Sequence, residues 1–144
     1  MPNDLSQDIR DRTFRFACAI ATLVLSLNEY RLRSIKDQLL RSGTSIGSNL
    51  EEAKAASSKK DFLRYVQISL RESREAIYWL RICAALKFGP ELELKELSGE
   101  GDQIARILGA IVVSTKRRML AKHLLFAFFI LNFALLNSAL LLSS

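Results

Sequence analysis

Apolar positions recur every three or four residues through four stretches of the chain, the spacing of helices that bury one face. In the first, from about Leu5 to Leu27, Ile9, Thr13, Phe16, Ile20, Leu23 and Leu27 form a stripe. Asp4, Asp8 and Asp11 sit early in it, where the helix dipole favours acids. The run from Phe14 to Leu27 is almost wholly apolar, which predicts burial on more than one side. The second stretch follows Asn28-Glu29-Tyr30 and carries Leu32, Ile35, Leu39, Ser42, Ile46, Asn49 and Ala53. Its middle, Arg41 to Asn49, is rich in small and polar residues, and each glycine there costs a helix about 1 kcal/mol. Because the periodicity runs through it, one helix is expected, bent or straight. Gly43 and Gly47 share a face and predict a close crossing by another helix, with Asn49 hydrogen-bonded in the core.

Ser58, followed three residues later by Asp61, reads as a near capping box. The third stretch then runs to about Leu86 on Phe62, Val66, Ser69, Ser73, Ala76, Leu80 and Cys83, and Gly89-Pro90 ends it. The acidic residues 91–102 read as a loop or a frayed helix start. A fourth helix is expected over about 102–122, on Ile104, Leu108, Ile111 and Thr115, broadened by Ile107 and Val112. No alternating strands with hairpin turns appear. The predicted fold is all-α: an antiparallel up-down four-helix bundle over 1–123, followed by an extra hydrophobic C-terminal helix or tail over 124–144.

That tail, LLFAFFILNFALLNSALLLSS, contains no charged residue. As a helix, Leu124 to Leu142 is about 28 Å long, enough for a membrane span. A basic cluster precedes it, as in an anchor whose bundle stays in the cytoplasm. A rough five-residue repeat equally suits an accidental read-through of repetitive DNA. A further helix packed on the bundle is the third option.

The chain has 144 residues, 21 basic and 15 acidic, for a net charge of +6. The excess is local. Residues 57–88 hold 7 basic and 3 acidic side chains, and residues 103–123 hold 5 basic and none acidic. Such blocks suit polyanions: nucleic acid, an anionic membrane or an acidic partner. They also suit ordinary solvated faces. The sharpest pattern is Lys60, Arg64, Gln67, Arg71, Arg74, Tyr78 and Arg81, one stripe opposite the apolar face of the third helix. It extends about 31 Å. Arginine forks match phosphate oxygens, and Tyr78 and Trp79 are placed to stack on bases. Lys116, Arg117 and Arg118 form a second, assisting cluster. A solvated face or a subunit contact salted with Glu72 and Glu75 is the competing reading.

Catalytic chemistry finds little material. With 1 His and 2 Cys, neither a di-iron Glu-x-x-His pair nor a zinc site has its ligand spacing. No phosphate-binding glycine loop is present. Glu75 is expected to pair with Arg71 one turn earlier. Cys18 and Cys83 read as buried free thiols of a reducing compartment. The pair Arg118-x4-His123 matches helical HEPN-type ribonucleases in spacing only, with Met119 where those enzymes place a polar residue. No enzyme activity, metal or cofactor is expected.

The segment Gln38-Leu39-Leu40-Arg41-Ser42-Gly43-Thr44-Ser45-Ile46-Gly47-Ser48-Asn49-Leu50-Glu51-Glu52-Ala53 resembles a bacterial family, as do Asp61-Phe62 and Glu72-Ser73-Arg74-Glu75-Ala76-Ile77-Tyr78-Trp79-Leu80. The family is the four-helix-bundle proteins encoded in intervening sequences of 23S ribosomal RNA genes. The chain is also similar to the accessory variability protein of diversity-generating retroelements. The likeness covers about residues 8–120. It implies a cytoplasmic four-helix bundle, usually a homopentamer, with no known enzymatic activity. By analogy with the retroelement relatives, it implies nucleic acid and a reverse transcriptase as partners. It supplies no active site, and the hydrophobic tail departs from it.

Overall fold

The structure, a computed structural model, describes residues 7–27 and 32–142, with side chains through residue 135. The expected start at Leu5, Asp4 and the Asn28-Glu29-Tyr30 connection lie outside the described residues. Four helices follow one another: α1 (Gln7–Ser26), α2 (Arg33–Ala55), α3 (Lys59–Ala85) and α4 (Glu91–Leu142). Among the described residues there is no strand. The chain divides into two units, Met1–Val112 and Val113–Ser144.

The first unit is an antiparallel up-down bundle. Gly43 of α2 lies against Ile20 of α1, and Gly47 against Thr13, so the two helices run in opposite directions. The α2 and α3 helices are tied by Ser69 Oγ donating to the Ile46 carbonyl at 2.9 Å. The residues of α4 up to Val112 lie between α3 and α1, because Gly101 faces both Ile77 and Phe16. The core is built from the predicted stripes: Phe16, Ile20 and Leu23 of α1, Leu39 and Ile46 of α2, Val66 and Leu80 of α3, and Ile104 and Leu108 of α4 are all fully buried. Each such side chain contributes about 1.5–3 kcal/mol through burial.

Small residues let these helices approach. A Cβ added at Gly43 would come within 2.9 Å of Ile20 Cγ2, so α2 remains helical through its glycines and uses one of them for the crossing with α1. Thr13, Ser42, Ser69 and Ser73 are buried polar residues. Their hydroxyls donate to the carbonyls of Arg10, Gln38, Ile46 and Leu70 respectively, which meets the requirement that buried polar groups be paired.

The helix ends follow their local chemistry. Ser58 caps α3, accepting from the Asp61 N–H at 3.0 Å and donating to the Asp61 carboxylate at 2.6 Å. At the other end, Lys87 takes a left-handed conformation with φ 53°, and the Lys87 and Phe88 amides donate to the carbonyls of Ala84 and Cys83. This pair of bonds is a Schellman stop, with Phe88 buried beneath it. Gly89 follows at φ 112°, where any other residue is strained.

Four expectations are corrected. Residues 91–102 are helical: α4 starts at Glu91, with Glu91 and Glu93 favouring the positive dipole end. Leu94, Leu97 and Gly101 extend the core stripe of Ile104 and Leu108 backwards in steps of three and four, so the glycine serves packing rather than a turn. Asn49 is half-buried and donates to the Ser45 carbonyl of its own helix at 2.8 Å, while Leu50 takes the core position. The α1 helix is buried on one side only, with Phe14 at 68% and Leu25 at 81% exposure. Cys18 shares that outer face and is exposed, unlike Cys83. The apolar segment is helical to Leu142 as the continuation of α4, and falls in the second unit.

Candidate polyanion-binding face

The outer face of α3 presents Lys60, Arg64, Arg71, Arg74 and Arg81, all exposed, with Gln67 half-buried among them. The physical cause is the 3.6-residue repeat: Val66, Ser69, Ser73, Ala76 and Leu80 occupy the core side, so the cations fall opposite. The stripe has one acid at its edge. Asp61 lies 3.8 Å from Arg64, which also sits 4.3 Å above the Tyr65 ring. Among the described residues, no carboxylate lies within 4.0 Å of Lys60, Arg71, Arg74 or Arg81.

The other two acids of α3 turn away from the stripe. Arg41, at the small-residue stretch of α2, bridges both: it donates to Glu72 at 3.0 Å and to Glu75. The expected Arg71–Glu75 pair is therefore replaced by one between helices. Arg41 holds the Glu75 carboxyl below the ordinary carboxylate range, helped by a hydrogen bond from Trp79 Nε1 at 3.3 Å. In return Glu75, then Glu72, raise the Arg41 guanidinium. The sequence showed both Glu residues but not Arg41, because its partners lie 31 and 34 positions away.

An equivalent clamp joins α1 to α4. Arg12 donates to Glu100, with Nη2 2.7 Å from Oε2, and to Gln103 at 2.6 Å. Arg12 lowers the Glu100 carboxyl, and Glu100 raises the Arg12 guanidinium.

The two aromatic residues expected to stack on bases differ. Tyr78 is exposed, while Trp79 is half-buried against the core and committed to Glu75. Their rings meet edge-on at 5.3 Å. Tyr78 is thus the one open stacking surface of the pair. Lys116, Arg117 and Arg118 are exposed and belong to the second unit. Among the described residues, no cluster of three or more His, Cys, Asp or Glu is arranged to hold a metal.

The model of the 23S rRNA-intervening sequence protein family matches residues 6–110. The chain belongs to this family. A solved structure from the S23 ribosomal protein family, from Bacteroides thetaiotaomicron, is described as a protein of unknown function. It is 32% identical over 72% of this chain and 97% of its own, with a TM-score of 0.69. No curated protein matches the chain. The family match contains all of α1, α2 and α3, and hence the basic stripe and both inter-helix clamps. The apolar half of α4 lies beyond it.

Proposed function

We propose that this 23S rRNA-intervening sequence protein is a non-enzymatic, self-associating bundle that binds the phosphate backbone of RNA or DNA through α3. Lys60, Arg64, Arg71, Arg74 and Arg81 make the contacts. The observation that carries this reading is the disposition of the acids. Arg41 draws Glu72 and Glu75 off the stripe, so most of its charge is uncompensated along about 31 Å. Phosphate contacts of this kind fix position without reading sequence. Cytoplasmic placement of the bundle follows from such a ligand.

Self-association has its own support. Phe14, Cys18 and Leu25 form an exposed apolar line on α1, on the face away from the core. A structural or adaptor role, using this line or the basic stripe against a protein, is the second reading. The family resemblance suggests a homopentamer, with a reverse-transcriptase-like protein as the analogous partner.

RNA binding by the full chain in non-ionic detergent, measured over a range of salt, decides between them. If the stripe neutralises five phosphates, the log–log salt slope is about −3 to −4 for a single strand. The triple variant Arg64/Arg71/Arg74→Glu abolishes it while keeping the helical content and melting temperature. An absence of binding at about 50 mM salt, where phosphate contacts are favoured, overturns the polyanion reading and leaves the adaptor role.

A further inference from the structure

We propose that residues 124–142 cross a lipid bilayer, with Lys116, Arg117, Arg118 and Lys122 in the anionic headgroup layer on the side of the bundle. Three observations carry this. The first is how the apolar side chains are distributed. From Leu124 to Leu135 all side chains are exposed, and Asn132 is the single polar residue among them. At 100° per residue these twelve positions surround the helix completely. A partner helix would need a stripe, and surface adsorption would need a polar face opposite an apolar one. A helix apolar on all sides belongs in a large protein core or in lipid.

The second is the length. The charge-free run from Leu124 to Leu142 is helical throughout and about 28 Å long, close to the roughly 30 Å hydrocarbon layer. Asn132, the one polar group on its described surface, donates to the Phe128 carbonyl at 2.8 Å. One donor is thus satisfied inside the helix, as a medium without water requires.

The third is the charge at its N-terminal boundary. Lys116, Arg117, Arg118 and Lys122 are exposed, and their helical positions spread around the axis instead of sharing a face. A one-sided phosphate ligand would meet only part of such a ring. A headgroup layer meets all of it, and basic residues flanking a span stay on the cytoplasmic side.

The test is flotation of the purified full chain with phosphatidylcholine vesicles, with and without phosphatidylglycerol, followed by high salt and alkaline carbonate. The chain is expected to float and to resist both washes. Leu131→Lys places a charge mid-span, lowers membrane partition about 100-fold, and leaves the bundle's melting unchanged. Lys116/Arg117/Arg118→Glu removes the preference for phosphatidylglycerol. Phe128→Trp is quenched by lipids brominated deep in the acyl chains. Three results overturn the proposal: no flotation, release by salt (which marks adsorption through charge alone), or equal flotation of Leu131→Lys with an unquenched Trp at 128.

Discussion

The helices of the first unit and the last thirty residues of α4 use similar amino acids to opposite ends. In α1, Ile9, Phe16, Ile20 and Leu23 are buried while Arg10, Arg12 and Arg15 flank them. In the apolar half of α4, Phe126, Phe128, Phe129, Ile130 and Leu131 are between 51% and 67% exposed. Hydrophobicity alone therefore does not make a core. A core needs a one-sided pattern and neighbours whose small residues admit the side chain. The bundle has both, in Gly43 and Gly101 and in its buried serines.

The comparison is broken most directly by removing a phenylalanine from each region. Phe16→Ala is expected to cost about 3–5 kcal/mol, read by chemical denaturation in detergent. Phe128→Ala is expected to leave that transition in place, because the ring is 66% exposed and has little burial to lose. A similar loss for both variants would show that the apolar half of α4 stabilises the bundle.

Two glycines of α2 sharpen the packing argument, with effects of opposite sign. Gly43→Ala presses a methyl group into Ile20 at 2.9 Å, against a stiff, fully buried side chain. A loss of about 1–3 kcal/mol is expected. At Gly47 the nearest atom is Thr13 Oγ1 at 3.5 Å, an ordinary contact. Gly47→Ala therefore gains up to about 1 kcal/mol from helix propensity. Thermal unfolding of both variants checks the contrast.

The smallest effect is electrostatic. Glu75 and Glu100 are held below their usual 4.5 by Arg41 and Arg12. A depressed carboxyl stabilises the fold above its unfolded value and loses that stabilisation as the pH falls through the folded one. Stability is therefore expected to fall as the pH drops below 4.5. The double variant Glu75→Gln/Glu100→Gln flattens that decline. Both acids are about one-third exposed, so each clamp is worth no more than about 1 kcal/mol at neutral pH. Urea midpoints across the pH range measure it.

Most of the fold was legible because it rests on local periodicity. The stripes of α1 and α3 appear in the sequence as they do in the core, and Ser58 was readable as a cap. Residues 91–102 were missed because Ser98, Gly99 and Gly101 look like a turn when counted by type. Counted by step, Leu94, Leu97, Gly101 and Ile104 continue the helix. The positions of the basic stripe were equally legible, but the relation that keeps its charge open was not. Arg41 meets Glu72 and Glu75 only once α2 folds back on α3, and no local window contains all three. Cys18 misled for a related reason: an apolar run says nothing about which of its sides has a neighbour.

The two cysteines turn that last difference into a clock. Cys18 lies open to reagents, whereas Cys83 is buried among α3 core residues and its thiol is pushed up by desolvation. Wherever the outer face of α1 is free, alkylation of Cys18 therefore proceeds without opening of the bundle, while Cys83 waits for the helices to separate. The interval between the two additions, followed by mass spectrometry, records how often this bundle opens without any denaturant or added label site.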